Sequence, residues 1–200
     1  LPAFKDDYLW LLTRGDEAAI VDPGDAEPVI RALDQQQLRL AAILATHHHA
    51  DHVGGLVALK QRYAATAYGP AHENVAQLDH RLAAGDKIDV LGTRFEVIDI
   101  PGHTAGHIAF YAAGLKPPAV FCGDTLFACG CGRLFEGTPE QMLASLDKLA
   151  ELPAATRVYC GHEYTVANIR FALEVEPNNR ELQTRAAMAT ALRRRGEPTL

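Results

Sequence analysis

The heptapeptide Thr46-His47-His48-His49-Ala50-Asp51-His52 follows directly on the apolar run Ala41-Ala42-Ile43-Leu44-Ala45. A run so brief and apolar, ended abruptly by polar residues, reads as a short buried strand. Past the end of a strand, side chains two apart still point the same way, so His47 and His49 converge on one point while His48 faces elsewhere. Asp51 and His52 stand where the chain turns into a helix expected over Val53 to about Arg62. Four candidate ligands therefore fall within six residues. Neutral imidazoles and an ionised carboxylate suit a borderline divalent cation such as Zn2+.

Three further stretches put a His or Asp at the end of an apolar run: His103 in Ile100-Pro101-Gly102-His103-Thr104, Asp124 in Phe121-Cys122-Gly123-Asp124, and His162 in Tyr159-Cys160-Gly161-His162. Each has a Gly just before it, where a missing side chain lets backbone approach a crowded centre. A lone histidine is more often packed or solvated than a ligand; recurrence at several strand ends is what points to a metal site. A carboxylate has two oxygens, so Asp124 can bridge two ions held on either side.

Along the chain, Tyr8 to Leu12 and Ala18 to Val21 read as a β-hairpin across Arg14-Gly15-Asp16, ending in the turn Asp22-Pro23-Gly24. Ala26 to about Gln37 is an amphipathic surface helix. Ala67 to Ala84 carries no functional signal, and His72 and His80 there read as solvated. Arg94 to Ile100 alternates as a strand that delivers His103, and His107 to Tyr111 follows as another. Thr138-Pro139-Glu140 is a helix start with Thr as N-cap and Pro at the first helical position, the helix running to about Glu151. Arg157 to Cys160 is the last strand, and two helices follow, Thr165 to Val175 and Asn178 to Arg195. This α+β order fits a β-sandwich with helices on its outer faces.

Composition excludes some alternatives. Hydrophobic residues make up 48% and charged residues 22%, as in an ordinary globular enzyme, and no run has the length of a membrane span or the look of a signal peptide. The net charge is −6 with basic residues scattered, apart from Arg193-Arg194-Arg195 at a helix end, which argues against nucleic acid as a partner. Cys122, Cys129, Cys131 and Cys160 form no CxxC pair, so reduced thiols and a cytoplasmic location are expected, with Cys122 and Cys160 as packing residues. The chain begins at Leu1 rather than Met, so a preceding piece is expected.

Thr-His-x-His-x-Asp-His, then Pro-Gly-His-Thr-x-Gly-His, then Gly-Asp and a late Gly-His resemble the metallo-β-lactamase superfamily. Within it, Thr46 to His52, Phe121 to Thr138 and Cys160 to Thr165 resemble the hydroxyacylglutathione hydrolases, glyoxalase II. The resemblance implies a four-layer αββα sandwich over residues 1–162 and a short, incomplete helical C-terminal region over 163–200. It implies that His47, His49 and His103 hold one metal and Asp51, His52 and His162 another, with Asp124 shared; Asp22 supports the centre, and His107 is supporting rather than ligating. Zinc is the first expectation, and iron or manganese suit the same donors.

The implied activity is hydrolysis of S-D-lactoylglutathione and related 2-hydroxyacyl glutathione thioesters, the second step of methylglyoxal detoxification. A hydroxide bridging two ions would add to the thioester carbonyl. A thiol with pKa near 8.5 leaves without a strong general acid. Arg133, beside the close-approach loop Gly130-Cys131-Gly132, can pair with a substrate carboxylate. Arg133 and Tyr164 occupy positions that contact glutathione in the resembled family, and Phe135 stands where some members carry Tyr. Further basic residues of that family lie in a C-terminal tail past the point where this chain stops at Leu200. A monomer acting on a glutathione thioester is expected. The alternative of another class is a persulfide dioxygenase of the same superfamily with a single iron; the block from Phe127 to Thr138 favours the hydrolase.

Overall fold

The computed structural model describes residues 1–199. The elements in chain order are β1 (Pro2–Ala3), β2 (Asp7–Tyr8), β3 (Trp10–Arg14), β4 (Glu17–Val21), α1 (Ala26–Gln36), β5 (Arg39–Leu44), α2 (Ala50–Val53), α3 (Leu56–Tyr63), β6 (Thr66–Pro70) and β7 (His80–Leu82). They continue with β8 (Lys87–Val90), β9 (Thr93–Asp99), β10 (Ile108–Ala112), β11 (Ala119–Gly123), β12 (Leu126–Phe127), β13 (Gly130–Cys131), α4 (Pro139–Ala150), β14 (Arg157–Cys160), α5 (Thr165–Val175) and α6 (Arg180–Arg194).

Two five-stranded sheets carry the fold, ordered β3-β4-β5-β6-β7 and β14-β11-β10-β9-β8. Successive side chains of a strand point to opposite faces, and the buried residues sort themselves accordingly. In β4, Ala19 and Val21 join the core between the sheets, where Ala42 and Leu44 of β5 meet Phe95, Val97, Phe110 and Phe121 of the second sheet. The alternate residues Ala18, Ile20, Leu40 and Ile43 face outward onto Val29 and Leu33 of α1 and Leu56 and Leu59 of α3. On the second sheet Ala109, Val120 and Cys122 face outward onto Leu149 of α4. Strands buried on both faces must be apolar at nearly every position, which is why β11 reads Ala-Val-Phe-Cys-Gly. The layering is αββα, as the resemblance implied.

The helix expected from Val53 to about Arg62 is two helices: Asp51 and His52 already lie in α2, and Gly54-Gly55 separates it from α3. The break has a steric cause. A Cβ on Gly54 would sit 2.5 Å from the Gly24 carbonyl oxygen, and one on Gly55 2.5 Å from the Ala26 nitrogen, so the chain passes close under the turn after β4. Helix α4 starts as read, with Thr138 Oγ1 accepting from Gln141 N at 3.3 Å and Gln141 Oε1 accepting from Thr138 N at 2.9 Å. Helix α6 begins at Arg180 rather than Asn178 because Asn179 is its N-cap, accepting from Leu182 N at 3.0 Å. Leu200, the last residue of the expected C-terminal region, lies outside the described residues. Among the described residues no helix is long and apolar enough to cross a membrane.

Candidate metal centre

Strands β4 and β5 run parallel, and β9, β11 and β14 run in a common direction because β9 and β11 are each antiparallel to β10 while β11 and β14 are parallel. Their carboxyl ends deliver Asp22, His47 to His52, His103, Asp124 and His162. The expected ligands from both halves of the sequence meet there. His47 Nε2 lies 3.1 Å from His49 Nδ1, and His49 Nδ1 3.0 Å from His103 Nε2. Asp124 Oδ1 lies 3.4 Å from His52 Nε2, and its Oδ2 lies 3.4 Å from His103 Nε2 and 3.1 Å from His162 Nε2. Asp51 Oδ2 is 3.7 Å from His162 Nε2.

The hydrogen bonds on the far sides of the rings fix what faces inward. Arg133 O can only accept, so His103 Nδ1 carries the proton it donates at 2.8 Å, and in the neutral imidazole that a metal ligand must be its Nε2 is a bare lone pair. Thr46 Oγ1 donates to Asp22 Oδ2 at 2.8 Å and therefore accepts from His47 Nδ1 at 3.1 Å, which leaves His47 Nε2 bare as well. Both lone pairs face the single His49 Nδ1, and one proton cannot serve two such contacts. His162 Nδ1 faces Asp6 Oδ1 at 3.2 Å and its Nε2 faces Asp124 Oδ2 at 3.1 Å; burial opposes charge on the ring, but the Asp124 carboxylate outweighs it and holds its pKa above the ordinary histidine value. His52 Nε2 and Asp124 Oδ1 are buried with no hydrogen-bond partner. Unpaired lone pairs and a carboxylate converging in a buried space are unfavourable on their own and favourable around a divalent cation. The groups His47-His49-His103, Asp51-His52-His162 and His47-His52-Asp124 each bring their donor atoms within 4.8 Å of one another.

Charge follows the same geometry. Burial, reinforced by the neighbouring imidazoles, holds His47 well below the ordinary histidine value. Burial opposes charge on His52 too, but the Asp22 and Asp124 carboxylates outweigh it and hold its pKa well above that value. Burial would raise Asp124; His162 and His52 outweigh it and hold the acid ionised far below the usual carboxylate range. His107, expected as a support, is buried and pushed down to about 3 by that burial. It stacks on His47, and its Nε2 accepts from Asp124 N at 3.2 Å. Cys122 is buried in the outer core of the second sheet, and Cys160 ends β14 beside it, its thiol pushed up to about 11 by burial. A Cβ on Gly161 would lie 2.3 Å from Asp124 Oδ1, so the glycine before His162 does serve close approach.

The metallo-beta-lactamase superfamily model matches residues 8–162, and the model for the hydroxyacylglutathione hydrolase C-terminus matches residues 163–200. The hydroxyacylglutathione hydrolase of Dechloromonas aromatica is 56% identical over 200 residues, 100% of this chain and 74% of that one. That of Alkalilimnicola ehrlichii is 57% identical over 204 residues, 100% of this chain and 78% of that one. The chain belongs to the hydroxyacylglutathione hydrolases. Solved structures similar to it include BLEG-1 B3 metallo-beta-lactamase, with TM-score 0.69 and 30% identity over 79% of this chain and 90% of that one. ETHE1 from Myxococcus xanthus gives TM-score 0.70 and 33% identity over 79% and 71%. TTHA1623 in a di-iron-bound form gives 0.66 and 30% over 81% and 89%. Thioester hydrolysis is the activity of the family, and the persulfide dioxygenase alternative is not favoured.

In this hydroxyacylglutathione hydrolase a cleft of about 730 Å³ opens beside the cluster, lined by His49, Asp51 and His103 together with Arg133, Phe135 and Tyr164. Phe135, 59% exposed, packs edge-on against His49 and His103 with centroids 5.6 and 5.2 Å away. The Arg133 guanidinium lies 5.8 Å above the Phe135 ring and has no ion-pair partner among the described residues. Tyr164 stacks on His162 at 4.9 Å, and burial with the nearby carboxylates pushes its hydroxyl up to about 12, so it stays a neutral donor. Sequence reading missed Glu73, in the stretch taken as uninformative. That stretch forms β6 and β7, and the loop between them sends Glu73 into the back of the site, where it accepts from His48. No local pattern marks it; only the fold brings it there.

Proposed function

We propose that the chain hydrolyses S-D-lactoylglutathione and related 2-hydroxyacyl glutathione thioesters to glutathione and the free 2-hydroxy acid at two divalent cations. His47, His49 and His103 would hold one, Asp51, His52 and His162 the other, and Asp124 both. The carrying observation is Asp124: one carboxylate oxygen faces His52 and the other faces His103 and His162, so it reaches both groups of donors. The likeness to a protein solved in a di-iron-bound form supports two ions. Zinc is the proposed occupant, and iron or manganese fit the same donors.

Cations held by these residues would supply a water of lowered pKa and polarise a carbonyl brought beside them. The chain's own groups do the rest. Arg133 offers an unpaired guanidinium to a glutathione carboxylate, the local attraction that a chain of net charge −6 needs for an anionic substrate. Tyr164, stacked on His162, donates a hydrogen bond, and Phe135 packs against apolar parts of the substrate. Asp22 orients His52 from behind. The leaving thiolate needs no strong acid, and the cleft offers none. A division into a metal-binding unit over 1–162 and a helical region over 163–200 is supported by where the two family models meet. Four free cysteines support a cytoplasmic location, and a monomer is the proposed state.

Metal analysis coupled to thiol release from S-D-lactoylglutathione tests this. Two metals per chain with turnover are expected. Asp124→Ala should lose at least one metal and cut turnover by roughly 100-fold or more, beyond what loss of an outer-shell contact costs. A single iron, oxygen uptake on glutathione persulfide and no thioester cleavage would overturn the reading.

A further inference from the structure

His48 points away from the convergent donors, and its ring bridges two acids. Nδ1 donates to Glu73 Oε2 at 2.8 Å, and Nε2 lies 3.5 Å from Glu136 Oε1. Glu73 is only 8% exposed. Burying a carboxylate is costly unless donors surround it. Its donors are His48, the Thr104 hydroxyl and, at 3.2 Å, the Gly106 amide, so the acid ties the loop carrying His103 to the segment carrying His47 and His49. A Cβ on Gly106 would lie 2.6 Å from Glu73 Cγ; the glycine is what admits the acid.

Glu136 directly follows Phe135 of the cleft wall. Its Oε2 accepts from Ala105 N at 2.8 Å, while Phe135 N donates to His103 O at 3.2 Å and Gly137 N to Gly102 O at 3.1 Å. Arg133 and Phe135 are thus carried on a loop laid against the His103 loop, and His48 grips that loop from the metal side.

We propose that Glu73, His48 and Glu136 form a positioning clamp that sets the distance between the cation cluster and the wall bearing Arg133 and Phe135. All three are positioning residues for thioester hydrolysis, and the inference rests on the glutathione thioester reading above. Glu73 fixes the His103 loop and the His48 ring. His48 in turn fixes Glu136. Breaking the His48 to Glu136 link leaves the inward lone pairs in place and loosens the wall, which its bonds to the His103 loop still tether, so the loss falls on substrate binding more than on turnover.

The test compares His48→Ala, Glu136→Ala, their double variant and His48→Gln with the unaltered protein, measuring metal content, kcat and KM for S-D-lactoylglutathione. Full metal content, kcat within about twofold and KM raised about tenfold are expected for each alanine variant, on the lower scale of outer-shell losses. The double variant should lose less than the product of the two single losses, because the contact that both remove is lost only once. His48→Gln, whose amide N–H groups can donate to Glu73 or Glu136 but whose oxygen cannot accept from either carboxylate, should recover part of the affinity. Unchanged KM in both single variants, effects that multiply in the double, or metal lost from His48→Ala would overturn the clamp while the hydrolase reading stands. An unaltered protein that cleaves no glutathione thioester would overturn both.

Discussion

Asp22 holds a left-handed backbone conformation, φ 51°, which Asp and Asn tolerate better than other residues with side chains, and from it both carboxylate oxygens reach the metal loop. Oδ1 accepts from Thr46 N at 2.7 Å and Oδ2 from Thr46 Oγ1 at 2.8 Å, while Oδ2 also stands 3.1 Å from His52 Nδ1. Asp22→Asn keeps the backbone preference and most of the shape but puts an amide where a carboxylate faced His52. Metal affinity by competitive chelation and kcat/KM should fall roughly 10- to 100-fold, the usual effect of a lost partner behind a ligand. Unchanged values would make Asp22 a turn residue and no more. The composition Asp-Pro-Gly gave the turn, and the family resemblance gave the supporting role; the burial of Asp22 against Thr46 and His52 favours the second. His48 is the converse case: the two-residue period of strand geometry already turned it away from His47 and His49, but nothing local named its partner Glu73.

Helices and strands were legible where one local cause decides them, as with the Thr138-Pro139 start of α4 and the span of α5 from Thr165 to Val175. The Gly54-Gly55 break was not, because its cause is the turn after β4, some thirty residues earlier in the chain and adjacent only once the sheet forms. The same holds for Asp79, which joins three elements just before β7. It accepts from Lys60 Nζ of α3 at 2.6 Å and from Ala67 N of β6 at 2.9 Å. The Ala67 amide first, then Lys60, hold its pKa below the usual carboxylate range. A depressed acid contributes stability above its unfolded pKa, near 3.9, and loses it as pH falls through the lower folded value. The pair is exposed, so its charge part is screened to about 0.5 kcal/mol. Urea unfolding of Asp79→Asn should show a deficit of that order at pH 7 that shrinks below about pH 4. A deficit equally large at pH 3 would assign the effect to shape rather than charge.

The centre lies across the whole sandwich: the loop after β5 of one sheet supplies His47, His49, Asp51 and His52, while loops of the other sheet supply His103, Asp124 and His162. Cations bound there would staple two sheets that otherwise hold together through the apolar core between them. Ions that bind only the folded chain stabilise it by about 2.7 kcal/mol at a hundred times their dissociation constant. In a chain of this size each kcal/mol moves Tm by roughly 2–4 °C. Exhaustive chelation should thus lower Tm by about 5–10 °C for each ion removed, and Zn2+ should restore it. Far-UV circular dichroism should hardly change below the new transition, because the apolar residues of both sheets remain buried without the ions. Loss of secondary structure on chelation would mean that the ions, and not the inter-sheet core, hold the sheets together. An unmoved Tm would mean that the inward lone pairs are accommodated without any cation, against the reading of the centre given by His47, His103 and Asp124.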